Sequence, residues 1–143
     1  MATVNVYLTF NGNTEEAFNF YKSVFGGEFT YMGRFKDMPA DENCPPPSEE
    51  EGNRIMHVSL PISKETILMA SDSTSFSGDV TFGNNFSVSI NTDNKEEADR
   101  LFNGLSVGGN IIMPMEKTFW GAYFGMFTDK FGVNWMVNLD EVP

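Results

Sequence analysis

A pentapeptide that occurs twice constrains this chain more than any other feature. Asn13-Thr14-Glu15-Glu16-Ala17 and Asn94-Lys95-Glu96-Glu97-Ala98 share four of five residues and lie 81 positions apart. In each copy an Asn stands where a helix N-cap belongs, a Glu follows three residues on to close a capping box, and the acidic first turn suits the helix dipole. Each copy also follows a strand pattern and precedes several more, and that shared position marks an internal repeat.

Residues 3–10 alternate, with Val4, Val6, Leu8 and Phe10 on one side and Asn5, Tyr7 and Thr9 on the other. Asn11-Gly12-Asn13 ends that strand. Ala17, Phe18, Tyr21, Val24 and Phe25 then recur at helical spacing until Gly26-Gly27. In the second half Phe86, Val88 and Ile90 alternate with Ser87, Ser89 and Asn91, and Ala98, Leu101, Phe102 and Leu105 form the next helical stripe. Further strands are expected near 28–35, 54–60 and 66–71, and near 110–115, 119–127 and 133–139. The last two form a hairpin turning through Asp129-Lys130-Phe131-Gly132. Each half reads strand, helix, three strands. The expectation is an α+β chain of tandem βαβββ modules, about 1–75 and 80–143, in one domain over 1–143. Residues 37–53 hold four of the seven prolines and are expected to form no regular element. That acidic loop is either an idle solvated segment or a flap over a site. A polar stretch, Ser71 to Gly83, links the halves.

Composition narrows the classes. The chain is 41% hydrophobic and 20% charged over 143 residues, which excludes wholesale disorder. Nine Lys and Arg face 20 Asp and Glu, a net charge of -11, so nucleic acid and anionic membrane are excluded as partners. The single cysteine, Cys44, cannot build an internal disulfide framework and fits a reducing compartment. No apolar run reaches the length of a membrane span, and the N-terminus lacks a basic start and apolar stretch. A cytoplasmic location is expected.

No standard catalytic motif is present: no phosphate-binding glycine loop, no Gly-x-Gly-x-x-Gly and no serine elbow. Acidic neighbours would raise the Cys44 thiol's pKa and suppress its thiolate. His57 is the only histidine, so a two-histidine metal site is arithmetically impossible within one chain. It lies opposite Met56, Val58 and Leu60 in its strand, and reads as a half-buried histidine or as a polar contact to a ligand. Asp72 and Asp129 fall at strand ends and turns, where Asp ordinarily bonds backbone, and Asp72 is the second candidate for a polar ligand contact. In the last strand Val133, Trp135, Val137 and Leu139 form an apolar face that belongs under helices. Asn134, Met136 and Asn138 form a mixed face suited to lining a cavity. Ser87, Ser89 and Asn91 give the fifth strand the same polar side, and two such curled halves would enclose a small-molecule pocket. Trp120, beside Gly121, reads as an aromatic wall of that pocket or as core packing.

These residues carry a resemblance. The tandem modules resemble the vicinal oxygen chelate superfamily, which includes glyoxalase I and the bleomycin-resistance proteins. More narrowly, four stretches resemble its PhnB-like branch, often labelled with a demethylubiquinone methyltransferase name. They are Phe10-Asn11-Gly12-Asn13 leading to Phe20-Tyr21 and Phe25-Gly26-Gly27-Glu28; Met56-His57; Met69-Ala70-Ser71-Asp72; and Thr118-Phe119-Trp120-Gly121 running to Asp129-Lys130-Phe131-Gly132-Val133-Asn134-Trp135. The resemblance implies a cupped mixed sheet with metal-ligand positions, usually His or Glu, on the first, fourth, fifth and eighth strands. These fall near Val6 (or Asn5 or Tyr7), Met69, Ser87 (or Phe86) and Met136.

None of those positions offers an imidazole or carboxylate, so no metal and no cofactor is expected. The first expectation is a metal-free, homodimeric small-molecule-binding protein with ligand contacts from Met69, Ser87, Trp120, Asn134, Met136 and Asn138. Its acidic field would favour a cationic or polar ligand. The alternative is a metal-dependent lyase, isomerase or dioxygenase with a relocated site drawing on His57, Asp72 or Glu116. A third reading makes the dimer surface itself the function.

Overall fold

The computed structural model describes residues 2–39 and 46–141. The chain folds as two compact units, Met1–Thr81 and Phe82–Pro143. Both units use one connectivity. The first runs β1 (Val6–Phe10), α1 (Thr14–Phe25), β2 (Tyr31–Arg34), a 3-10 turn (Phe35–Asp37), α2 (Glu49–Gly52), β3 (Ile55–Pro61) and β4 (Ile67–Asp72). The second runs β5 (Val88–Asn91), α3 (Lys95–Leu105), β6 (Asn110–Lys117), β7 (Ala122–Thr128) and β8 (Asn134–Asp140). The four-stranded sheets are ordered β1-β4-β3-β2 and β5-β8-β7-β6. In each, the first strand pairs with the last in parallel and the other pairs are antiparallel. The strand-helix-three-strand repeat read from the sequence is thus the architecture.

One face of each sheet is closed by a helix. In the first unit Leu8, Phe10, Val58, Leu60, Leu68 and Ala70 are buried beneath Ala17, Phe18 and Tyr21 of α1. Phe10 meets Phe18 edge-on at 6.5 Å, and Phe18 meets Tyr21 at 5.4 Å. Each such buried ring contributes about 1.5–3 kcal/mol of apolar transfer. In the second unit Trp135, Val137 and Phe127 lie beneath Ala98, Leu101, Phe102 and Leu105 of α3, with Phe102 edge-on to Phe127 at 5.1 Å. Gly125 permits this fit, because a Cβ there would stand 2.7 Å from both Phe102 Cε2 and Met115 Sδ.

The two matching pentapeptides are capped differently. Asn94 caps α3 as its pattern predicts, accepting from Glu97 N–H at 2.8 Å. Asn13 occupies the N-cap of α1 but makes no side-chain cap bond. Asp72, at the end of β4, does that work: its Oδ1 accepts from Gly12 N, Thr14 N and Thr14 Oγ1 at 3.0, 3.0 and 2.6 Å. A carboxylate delivered across the unit, accepting from three donors with one oxygen, takes the place of the local amide.

Several boundaries differ from the sequence reading. β1 begins at Val6, with Val4 99% exposed, and β5 begins at Val88, so Phe86 and Ser87 precede it. β7 begins at Ala122, because Thr118 closes a turn onto Ala122 through its N–H (2.8 Å) and its hydroxyl (3.0 Å). That turn places Phe119 and Trp120 outside the strand. The described part of the 37–53 segment contains a helix after all: Ser48 caps the single turn Glu49–Gly52 by accepting from Glu51 N–H at 3.2 Å, and its three acidic residues complement the helix N-terminus. The middle of that segment and Cys44 lie outside the described residues, as do the flap and thiol expectations attached to them.

Candidate functional site

Opposite each helix-covered face lies an open sheet face, and strand parity decides which residues reach it. In the first unit Tyr7 pairs with Met69, Met69 with Ser59, Ser59 with Tyr31, and His57 with Gly33. All five side-chain-bearing residues therefore share the open face, whereas Val6 pairs with Leu68 and shares the covered side with Leu8 and Phe10. Of the first-strand alternatives, Tyr7 is the residue beside Met69.

His57 is the centre of this face. Its Nδ1 lies 3.1 Å from Tyr7 Oη and its Nε2 lies 2.9 Å from Ser59 Oγ. The Tyr7 ring stacks on the imidazole at 5.6 Å and 29°, and the Tyr31 ring tilts against it at 5.8 Å and 41°. The Tyr31 hydroxyl end rests over Gly33, where any Cβ would clash at 2.5 Å. The sequence named His57 and offered Tyr7 as an alternative. Ser59 and Tyr31 escaped notice, although Ser59 follows His57 by the two-residue strand period that places it on the same face.

In the second unit Ser89 pairs with Met136 and Asn91 with Asn138, while Met126 and Phe124 continue the same rows on β7. Asn138 donates to Asn91 Oδ1 at 3.2 Å and to Asp140 Oδ1 at 3.0 Å. Asn134 accepts from Thr128 Oγ1 at 2.7 Å and donates to the Gly83 carbonyl at 3.1 Å, which ties the segment before β5 to β8. Ser87 falls one residue before β5, and the ladder sets Ser89 beside Met136. Trp120 is half-exposed in the β6–β7 turn, packed on Phe119 at 5.0 Å and Phe124 at 6.3 Å.

Asp72 belongs to different surroundings. It lies on the covered face with Leu68 and Ala70, is 4% exposed, and also accepts from Ile55 N–H through Oδ2 at 2.9 Å. Four donors from its own chain thus occupy the carboxylate. Asp129, in the β7–β8 turn of the second unit, likewise bonds its own chain, accepting from Phe131 N, Val133 N and Trp135 Nε1 at 2.8–3.0 Å. Near Asp72 a polar cavity of about 300 Å³ is lined by Asn11, Gly12, Glu15, Arg34, Glu50, Asn53, Arg54, Ile55 and Asp72. Arg34 donates to Glu15 at 2.6 Å, which pushes its pKa up, and Arg54 donates to the Ser73 carbonyl at 2.8 Å.

This arrangement sets what metal chemistry the residues can support. His57 and Asp72 stand on opposite faces of one sheet and cannot grip a common ion. Both imidazole nitrogens already meet hydroxyls. The strand positions that the superfamily resemblance assigns to metal carry a phenol (Tyr7), two thioethers (Met69 and Met136) and a hydroxyl (Ser87 or Ser89). Such a neutral, partly soft donor set does not fit a hard divalent cation. Among the described residues no three His, Cys, Asp or Glu side chains converge on one point.

Two βαβββ units, each with a first strand paired in parallel to its last, define the glyoxalase/bleomycin-resistance-like α+β fold. A solved structure described as a glyoxalase/bleomycin resistance protein from Albidiferax ferrireducens T118 shares that fold at 14% identity and a TM-score of 0.64, with 96% of this chain and 97% of that one covered. Residues 2–138 match the family described as 3-demethylubiquinone-9 3-methyltransferase, and the chain belongs to that family. Its relatives include protein YjdN of Escherichia coli K12, 34% identical over 93% of this chain and 92% of that protein. The crystal structure of protein PA1353 from Pseudomonas aeruginosa is 41% identical, with a TM-score of 0.83 over 99% of this chain and all of that one. No helix among the described residues is long and apolar enough to cross a membrane.

Proposed function

We propose that this protein binds a small polar or cationic molecule without a resident metal ion, and that it works as a homodimer. The observation that carries this reading is the chemistry of the open faces. Where the superfamily pattern places metal ligands, this chain presents Tyr7, Met69, Ser87 or Ser89, and Met136, all neutral side chains. Each unit offers its own candidate contacts: Met69, with His57 as a polar contact, on the open face of the first, and Ser87, Trp120, Asn134, Met136 and Asn138 in the second. Thioether and aromatic groups supply adaptable apolar area, and the amides supply direction. The net charge of -11 favours cationic or polar molecules over anions during encounter.

The family's description names methyl transfer. Each sheet here has a single parallel pair. Doubly wound nucleotide-binding domains are built instead from successive parallel crossovers. That contrast favours ligand binding over methyl transfer from a nucleotide cofactor.

Elemental analysis of untagged protein, purified without chelator and then incubated with excess zinc, nickel, iron or manganese and desalted, tests the reading. Metal far below one equivalent, with an unchanged melting temperature, is the expected result. Near-stoichiometric metal overturns it and makes a metalloenzyme the function.

A further inference from the structure

We infer that Tyr7, His57, Ser59 and Tyr31 form a recognition site for a flat aromatic ring bearing a neutral hydrogen-bond acceptor, such as a carbonyl or a heterocyclic nitrogen. The inference deepens the small-molecule-binding reading and rests on it. Three rings cluster on the open face of the first sheet, the imidazole stacked by Tyr7 and tilted against Tyr31, and each tyrosine is 49% exposed. The aromatic surface that such a cluster leaves exposed is satisfied by a further ring stacked or tilted against it. The platform is built into the backbone, because only glycine at position 33 lets the Tyr31 ring lie over β2 toward His57.

The hydroxyls give the platform direction. Whenever the imidazole is uncharged it has one donor and one acceptor nitrogen, and its two bonds then run in the same sense. In one tautomer Ser59 donates to Nε2, Nδ1–H donates to Tyr7 Oη, and the Tyr7 proton points away from the imidazole. In the other, Tyr7 donates to Nδ1, and the Ser59 proton points away instead. A ligand acceptor reached by Tyr7 selects the first tautomer, and each bond in the chain polarises the next. The remaining residues of this face, Thr9, Ile67, Met69, Ser71 and Pro61, are neutral, and the chain's net charge of -11 disfavours an anionic acceptor.

His57 is the only histidine in the chain, so its imidazole signals report on this site without ambiguity. The experiment titrates isotope-labelled full-length protein with acetophenone (flat ring and carbonyl), 1-cyclohexylethanone (carbonyl without the flat ring) and toluene (ring without the carbonyl). The expected result is a ring-current shift of the His57 carbon-bound protons with acetophenone, joined by a change in the imidazole nitrogen shifts toward the Nδ1–H tautomer. Toluene produces the first effect alone, and 1-cyclohexylethanone neither. Tyr7→Phe, with an unchanged amide fingerprint, keeps the ring-current shift, loses the tautomer response and weakens acetophenone binding about threefold to tenfold. Gly33→Ala reduces the ring-current shift. Unmoved imidazole signals, or equal responses to acetophenone and 1-cyclohexylethanone, overturn the inference. If the Met136 methyl signal alone responds, small-molecule binding stands and this site is wrong. If no signal responds, the aromatic class is wrong, and the metal analysis judges the wider reading separately.

Discussion

Asp72 is a strand-end aspartate whose role is set by what surrounds it. Its two oxygens serve three backbone N–H groups and one hydroxyl, from Gly12, Thr14 and Ile55, residues 17–60 positions away. Asp72→Ala would strand those buried donors, each costing about 1–3 kcal/mol. The expected loss exceeds about 3 kcal/mol in urea unfolding, while Asp72→Asn, which keeps one acceptor oxygen, loses less. Tyr123 supplies a pH-dependent case. Its hydroxyl donates to Asp99 at 2.6 Å, and that bond, with lesser help from burial and the Asp99 charge, pushes its pKa from 10.0 up to about 12. The folded state therefore holds the phenol proton more tightly than the unfolded chain does. Its contribution is complete below pH 10 and is lost as the pH rises toward 12. Ultraviolet difference titration should show one tyrosine ionising last, and Tyr123→Phe should abolish that step. At this scale the sequence identified His57, Asp72 and Asp129 by type and position. It did not show that the first meets Tyr7 and Ser59 while the second turns to the opposite face.

The repeated pentapeptide shows the same limit at the level of elements. Identical cap patterns predict equal caps, yet only Asn94 bonds its helix, and Asn13 is bypassed by Asp72. Asn94→Ala should therefore cost about 1 kcal/mol and Asn13→Ala less than about 0.5 kcal/mol, measured as shifts in urea midpoint. Equal losses would contradict this reading of the caps. Strand sidedness was legible wherever one face is strongly apolar, as in β8 with Trp135 and Val137. It was ambiguous in β1, where Val4 and Val6 extend the apolar row past the point at which the helix covers it. Only the ladder, pairing Tyr7 with Met69, resolves that strand. β6 is an edge strand with two ladder irregularities and Pro114 within it, features that blunt edge pairing.

Across the whole molecule, exposed apolar surface argues for a second copy. Ile111, Ile112 and Met113 on β6 are 43–52% exposed, and Phe119 in the following turn is 98% exposed. Natural chains usually cover such patches. Sedimentation at micromolar concentration should give a species of twice 16.0 kDa, and a 16.0 kDa species would contradict the homodimer.

The order of the strands and of the two long helices, the tandem modules and the family are legible in the chain, because alternation, helical stripes and turn residues are written by near neighbours; the short helix Glu49–Gly52 is not. The sidedness of β1, the capping of α1 by Asp72, and the Tyr7–His57–Ser59 line with Tyr31 beside it arise only in the folded chain. Tyr7 and His57 are 50 positions apart, and Asp72 and Thr14 are 58 apart. Such contacts exist only once sheet register has set which face each residue occupies, and a slip of one residue would exchange the faces.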